Sequence, residues 1–295
     1  MDYLIFTDAT GDMDKSLITD GGIKIIPMGC IIGDESFMWD GLHDDREALH
    51  SFFDKLRNEK TSTSTSQVPP NIYYDTFEPY IKEGKGILYI SISSGVSGTY
   101  ASAVSGINML KEDYTDVHAE VIDSLCASFG EGMLIGSAAE NKEKGMSLEE
   151  NAAWLREHVM NVRCWVKLDD LMFLSRGGRL SSASAIVGTA LNIKPIMFFD
   201  AEGKAAMASK KRGVKMALND IIAHFESTFD PELGNTVYVV DTDNEKEAAE
   251  LYNMLREKHP ELDIKRGEIN PIVGSLLGPD VAGIVHYGTR KDSAK

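Results

Sequence analysis

At 295 residues, with 43% hydrophobic content and a formal net charge of −16, the chain has the length for two ordinary domains or one large one, with substantial cores. The acidic balance argues against a nucleic-acid backbone as partner, which needs clustered Lys and Arg, and disfavours adsorption to an anionic membrane. Cys30, Cys126 and Cys164 are too few and too scattered for a disulfide framework, and the seven histidines show no metal-ligand spacing. No apolar run approaches the roughly 20 residues of a membrane span. Met1-Asp2 leads straight into a strand without a basic-then-apolar leader, so a cytoplasmic protein is expected.

Tyr3 to Thr7 reads as a buried strand ending at Asp8-Ala-Thr-Gly-Asp12. Such an ending is similar to the nucleophile loop of aspartate-dependent phosphatases, but that motif needs a second Asp where this chain has Thr10. Asp8 and Thr10 are expected instead to brace the loop by Asx-type hydrogen bonds at a crevice edge. Ile23 to Met28 gives a second strand, and Glu47 to Leu56 the core of an amphipathic helix. Thr61 to Ser66 is a run of hydroxyl residues followed by Gln67 and, at 69 and 70, two prolines. Composition alone makes it a linker. Its place inside an α/β pattern makes it a crossover loop able to supply ligand contacts.

Ile87 to Ile92 is apolar, β-branched and aromatic, too short for a helix, and reads as a buried central strand. The turn Ser93-Ser-Gly-Val-Ser-Gly-Thr99 follows, with a helix expected from Ser97 onward. The first N–H groups of a helix lack intrahelical partners, glycines let a ligand approach the backbone, and the hydroxyls add donors. A capped helix start without ligand is the plain alternative. The hydroxyls outnumber what one cap needs, which favours a site for a carboxylate or phosphate.

Val117 to Asp123 is a further strand, Cys126 to Asn141 a helix, and Ser147-Leu-Glu-Glu150 a capping box opening another helix through Met160. This alternation predicts a parallel sheet covered on both faces. Cys164 to Leu168 is strand-like and Asp169 to Ser175 a short helix. The arginines of Arg176-Gly-Gly-Arg179 can bind an anion or equally pair with surplus acidic side chains. Ala183 to Leu191 is a small, apolar helix. Ile193 to Phe199 and Lys204 to Ser209 form a hairpin. A helix within 210–229, a strand at Thr236 to Val240, a helix at Asn244 to Lys258, and the segments 262–266, 270–278 and 281–286 complete a second α/β unit. The expected division is 1–160 and 161–295, two α/β domains with a crevice between them.

Thr65-Ser-Gln67, Ile92-Ser-Ser-Gly-Val-Ser-Gly-Thr-Tyr100, Val121-Ile-Asp-Ser124, the run from Asp170 through Ser175-Arg-Gly-Gly-Arg-Leu-Ser181, and Leu191-Asn-Ile-Lys-Pro-Ile196 together resemble the DegV family, in the same order over nearly the whole chain. The resemblance implies a two-domain α/β protein that binds one long-chain fatty acid, such as palmitate, in an apolar tunnel between the domains, with no other cofactor. It implies that Thr65 and Ser97 hold the carboxylate, with Ser93, Ser94 and Gly95 nearby and Arg212 as the matching arginine, although Lys210 and Lys211 blur that alignment. It also implies that some members present the lipid to a separate catalytic subunit of a fatty acid kinase. Two departures stand out. Val68 separates Gln67 from the prolines, and Leu276 occupies the position of the histidine that kinase-linked members carry in Gly274-Ser-Leu-Leu-Gly-Pro-Asp280. The second places the phosphorylation role in doubt while leaving fatty acid binding intact.

Elementary physics supports the lipid carrier, without chemistry of its own, that the resemblance implies. A buried carboxylate needs hydrogen bonds, which hydroxyls and helix N–H groups supply, and each buried methylene contributes about 0.8 kcal/mol. The competing class is a serine esterase or acyl transferase with Ser97 as nucleophile. Gly95-Val-Ser-Gly-Thr99 nearly matches the Gly-x-Ser-x-Gly elbow and fails at Thr99. A nucleotide-binding module lacks any P-loop or dinucleotide signature.

Overall fold

The computed structural model describes residues 1–41, 46–59, 61–180 and 192–291. Along the chain run β1 (Tyr3–Asp8), α1 (Ser16–Thr19), β2 (Lys24–Ile26), β3 (Met28–Ile32), β4 (Glu35–Trp39), α2 (Arg46–Glu59), β5 (Thr63–Ser66), α3 (Pro70–Lys82), β6 (Gly86–Ser91), α4 (Thr99–Asp113) and β7 (Ala119–Asp123). Then follow α5 (Phe129–Glu143), α6 (Leu148–His158), β8 (Val162–Lys167), α7 (Met172–Arg176), β9 (Ile193–Phe199), β10 (Ala205–Arg212) and α8 (Val214–Thr228). The last elements are β11 (Thr236–Asp241), α9 (Glu245–Lys258), β12 (Asp263–Glu268), α10 (Pro271–Leu277) and β13 (Ala282–Tyr287). The predicted helix at 183–191, with Ser181 and Leu191 of the motifs, lies outside the described residues.

β2, β1, β6 and β7 form the expected parallel sheet in that order. Alternate side chains of a strand point to opposite faces. Ile5, Leu88 and Ile90 accordingly join one core cluster, while Phe6, Ile87 and Tyr89 join another. The second face is covered by α3 and α4. The first is covered by α5 and α6, and its cluster runs on into Val162, Val166, Val285 and Tyr287 of the second sheet. α5 is buried along most of its length, because it is packed between the two sheets.

The second sheet has six strands in the order β10-β9-β8-β13-β11-β12. Only β11 and β12 pair in parallel, and β13 runs antiparallel to both neighbours. Its far face packs on α8 and α9 around Trp165, Ile196, Leu218 and Phe225.

Two expectations need correction. The strand expected at 23–28 breaks at Pro27, which has no N–H to donate. β2 ends before it and joins the four-stranded parallel sheet, and β3 begins after it. The hydroxyl run is neither linker nor loop: Thr63–Ser66 is β5, which joins β3 and β4 in an antiparallel three-stranded sheet unforeseen in the sequence. Threonines are good strand residues, and their polarity hid this. The capping box is as expected: Ser147 Oγ accepts the Glu150 N–H at 3.2 Å, and the Glu150 carboxylate accepts the Ser147 N–H at 2.9 Å.

Candidate functional site

The turn after β6 is held from several sides. Ser93, fully buried, donates its N–H to Cys126 O (2.8 Å) and its hydroxyl to Gly203 O (2.7 Å). Gly203, at the tip of the β9–β10 hairpin, has φ +68, and a Cβ there would collide with the Ser93 hydroxyl. A side chain on Gly95 would strike the backbone of Glu202 and Gly203. Ser93 therefore fastens the turn to the hairpin and faces no open space.

Ser94, Gly95 and Ser97 line a cavity of about 440 Å³ with Val96, Arg179 and Lys204. Ser97 Oγ lies 2.9 Å from Thr99 Oγ1 and accepts the Thr99 N–H at 3.3 Å. This local hydroxyl turn delays the helix, so α4 begins at Thr99 and not at Ser97. No imidazole is bonded to Ser97 among the described residues. Arg179, of the Arg-Gly-Gly-Arg stretch, fixes the opposite wall: its Nε donates to Val96 O at 3.1 Å and its Nη1 to Gly177 O.

Thr65 does not line that cavity but is tied to it. Gln67, two residues on, lays its amide against Gly98 and donates to Ser102 Oγ at 2.6 Å, across the first turn of α4. On β5, Thr65 pairs with Cys30 and Cys30 with Phe37. Directly paired residues share a face, so the Thr65 hydroxyl lies in one row with Cys30 and Phe37. Thr63, on the same face, donates to Ser275 O of α10 at 2.9 Å. Phe37 with Ile32, Trp39, Leu49 and Phe52 lines a second, mainly apolar cavity of about 380 Å³ under the small sheet, between it and α2. Cys30 is fully buried there, and burial pushes its thiol up to about 11.

Arg212 is separated from this arrangement. It is exposed and pairs with Ile193 at the end of β10 remote from the hairpin tip, roughly 20 Å along the strand from Ala205. The basic side chains at the Ser97 cavity are Arg179 and Lys204, the latter paired with Glu202 at 2.5 Å. Leu276 sits half-buried near the end of α10, its methyl group close against Gly177 beyond α7. His286 is fully buried on the α8 side of the second sheet. Its Nδ1 is 2.8 Å from Tyr287 O, and burial pushes the imidazole down to about 3, so it is a neutral core residue.

The loop after β1 is braced as expected. Asp8 Oδ1 accepts the Thr10 N–H (3.0 Å) and lies 2.5 Å from its hydroxyl, while Oδ2 accepts Tyr89 OH (2.9 Å) and the Ile92 N–H (3.1 Å). The sequence did not foretell Glu131 of α5, which is fully buried and lies 2.7 Å from both Thr7 Oγ1 and Thr10 Oγ1. Desolvation raises Asp8 and lifts Glu131 well above the ordinary carboxyl range, against the opposing hydrogen bonds. His50, Asp54 and Asp243 come close enough to hold a metal ion. The Arg57 guanidinium already bonds Asp54 (2.5 Å) and Asp243 (3.0 Å) and supplies a countercharge there. Among the described residues no helix is long and apolar enough to cross a membrane.

Comparison with known proteins agrees with this architecture. Residues 3–289 match the model of a family described as uncharacterised protein, DegV family. A DegV domain-containing protein of Clostridium perfringens is 32% identical over 290 residues, covering 98% of this chain and 99% of the relative. The crystal structure of DegV from Bacillus subtilis, a fatty acid binding protein, superposes with a TM-score of 0.83 at 28% identity, covering 98% of this chain and 100% of that one. A DegV family protein from Thermus thermophilus, whose structure concerns fatty acid binding, gives 0.83 at 26% identity, with 98% and 100% covered. The chain belongs to the DegV family.

Proposed function

We propose that this protein binds a single long-chain fatty acid, with its carboxylate at Thr65 and Ser97 and its acyl chain buried along the apolar face of the small sheet. The observation that carries this is the position of Thr65. Through Gln67 it is bound to the hydroxyl turn at the start of α4, and it shares a cross-strand row, Thr65–Cys30–Phe37, with a residue that lines the apolar cavity. A polar clamp beside an apolar chamber suits an amphiphile with one charged end. The relatives of known structure that bind fatty acids support the same reading. Hydroxyl and N–H donors satisfy the carboxylate, and at about 0.8 kcal/mol per methylene the chain supplies most of the affinity. Residues 1–160 and 161–295 would act as two units around the ligand.

The finer role we infer is presentation of the bound acid to a fatty acid kinase subunit, or carriage without chemistry. Leu276 bears on the choice, since it offers neither donor nor charge on the helix that Thr63 bonds. The test is direct. Protein purified from a bacterial host should release stoichiometric fatty acid of roughly C14 to C18 on denaturing extraction. Thr65→Ala and Ser97→Ala should each weaken binding of a fluorescent fatty acid by about 1 to 3 kcal/mol, the usual cost of leaving a buried charged group short of one hydrogen bond. No extracted lipid and no uptake of added palmitate would overturn the proposal. Unchanged affinity in both variants would move the carboxylate elsewhere.

A further inference from the structure

Cys126 lies in the loop leading to α5 and Cys164 on β8, so the two belong to different sheet systems. Their side chains nevertheless meet. A Cβ on Gly130 would collide with the Cys126 sulfur and touch a Val162 methyl at 3.4 Å. That sulfur therefore lies against β8, on the face carrying Val162 and, two residues on, Cys164. Cys126 belongs to the cluster between the sheets and Cys164 packs against it, which brings the two thiols into mutual interaction. Cys126 is fully buried and Cys164 half-buried.

A third group completes the arrangement. Lys291, 6% exposed, donates from Nζ to Leu125 O at 2.7 Å, next to Cys126 in the chain. Desolvation pulls this lysine below its ordinary range, and the two thiols act against that pull by favouring its charged form. A buried ammonium beside two thiols stabilises a thiolate, the nucleophilic form of cysteine. The neighbouring Cys164 thiol and the ammonium of Lys291 lower Cys126, while Cys164, beside Cys126 and desolvated, is raised.

From this cluster we infer that Cys126 and Cys164 form a redox-responsive dithiol that a hydroperoxide closes to a disulfide, stapling the loop before α5 to β8. The Cys126 thiolate attacks one peroxide oxygen, giving Cys126–SOH and hydroxide, which takes up the proton Cys126 had released. The Cys164 thiol then attacks the sulfenic sulfur and the S–S bond forms as water leaves. Two thiols and one peroxide become one disulfide and two waters. Cys30, with its raised pKa and no such neighbours, stays reduced. The staple reaches the turn at the start of α4, because the Ser93 N–H is held by Cys126 O at 2.8 Å.

The full chain is reduced, desalted, exposed to hydrogen peroxide at neutral pH, denatured in an alkylating agent and mapped without reductant. The expected product is a single intrachain Cys126–Cys164 linkage with Cys30 alkylated, reversed by dithiothreitol. Lys291→Met should slow closure severalfold, because it removes the ammonium that favours the Cys126 thiolate. Cys164→Ser should leave Cys126–SOH, captured by dimedone. Recovery of Cys126 and Cys164 both alkylated, at an exposure that oxidises free glutathione in a parallel tube, overturns the inference. So does a linkage through Cys30 or between chains. Mapping of the parent decides the matter even where a variant does not fold.

Discussion

Replacing Glu131 by glutamine should make the protein's stability less dependent on pH, for a reason that can be counted in hydrogens. Thr10 has one hydroxyl hydrogen, yet its oxygen lies 2.5 Å from Asp8 Oδ1 and 2.7 Å from Glu131 Oε2. Two hydrogen bonds need two hydrogens, so a carboxyl group must supply the second. Asp8 already accepts Tyr89 OH and the N–H groups of Thr10 and Ile92, and so is the ionised partner. Glu131, whose other acceptor bond is from Thr7, carries the proton and donates it to Thr10 Oγ1. If both were ionised, two charges at most about 5 Å apart in an effective dielectric of about 20 would repel by roughly 3 kcal/mol. The sign follows from the raised carboxyl. Its contribution is fully present below the unfolded value of about 4.3 and is lost as pH rises toward the folded value, at about 1.4 kcal/mol per unit. The introduced glutamine keeps the geometry, its amide nitrogen donating to Thr10 and its amide oxygen accepting from Thr7, and takes up no proton. Urea unfolding of parent and Glu131→Gln at pH 5, 6 and 7 should show the variant gaining steadily on the parent as pH rises, by at most about 1.4 kcal/mol per unit. Glu131→Ala should lose at every pH, since it leaves two buried hydroxyls short of a partner. A constant difference between parent and glutamine variant across the range would show that Glu131 holds no proton and refute the reasoning.

Acyl-phosphate formation with a fatty acid kinase subunit and ATP should be weak in the parent and rise in Leu276→His, because an imidazole can donate and carry charge where leucine cannot. Robust turnover by the parent, unchanged in the variant, would remove Leu276 from consideration; His286 is buried and neutral and cannot stand in for it. Ser147→Ala should cost about 1 kcal/mol in chemical denaturation, since it removes the side-chain half of the cap on α6. A smaller loss than Glu150→Ala would assign the cap's value to the carboxylate side.

What the sequence determined by itself was local or cumulative. Apolar runs such as Ile87 to Ile92 specify buried strands because only that environment suits an unbroken β-branched and aromatic face. The box Ser147-Leu-Glu-Glu150 specifies a helix start because both of its bonds are made within four residues. The ordered set of motifs was enough to identify the family. Tertiary structure decided what depends on distant partners. Thr61 to Ser66 looks like a linker by composition, and becomes a strand only because β3 offers it a ladder. Arg212 aligned with a head-group arginine, yet pairing with Ile193 carries it to the far end of the hairpin, while Arg179 stands at the cavity. Glu131 read as one acidic residue in a helix. Packing α5 between two sheets removes it from water and sets it against Asp8, 123 positions away in the sequence, through a single threonine hydroxyl. Side-chain period and capping act over a few residues and leave a mark in any short window. Burial, cross-strand pairing and the sharing of a proton arise only when the folded chain brings separate segments together.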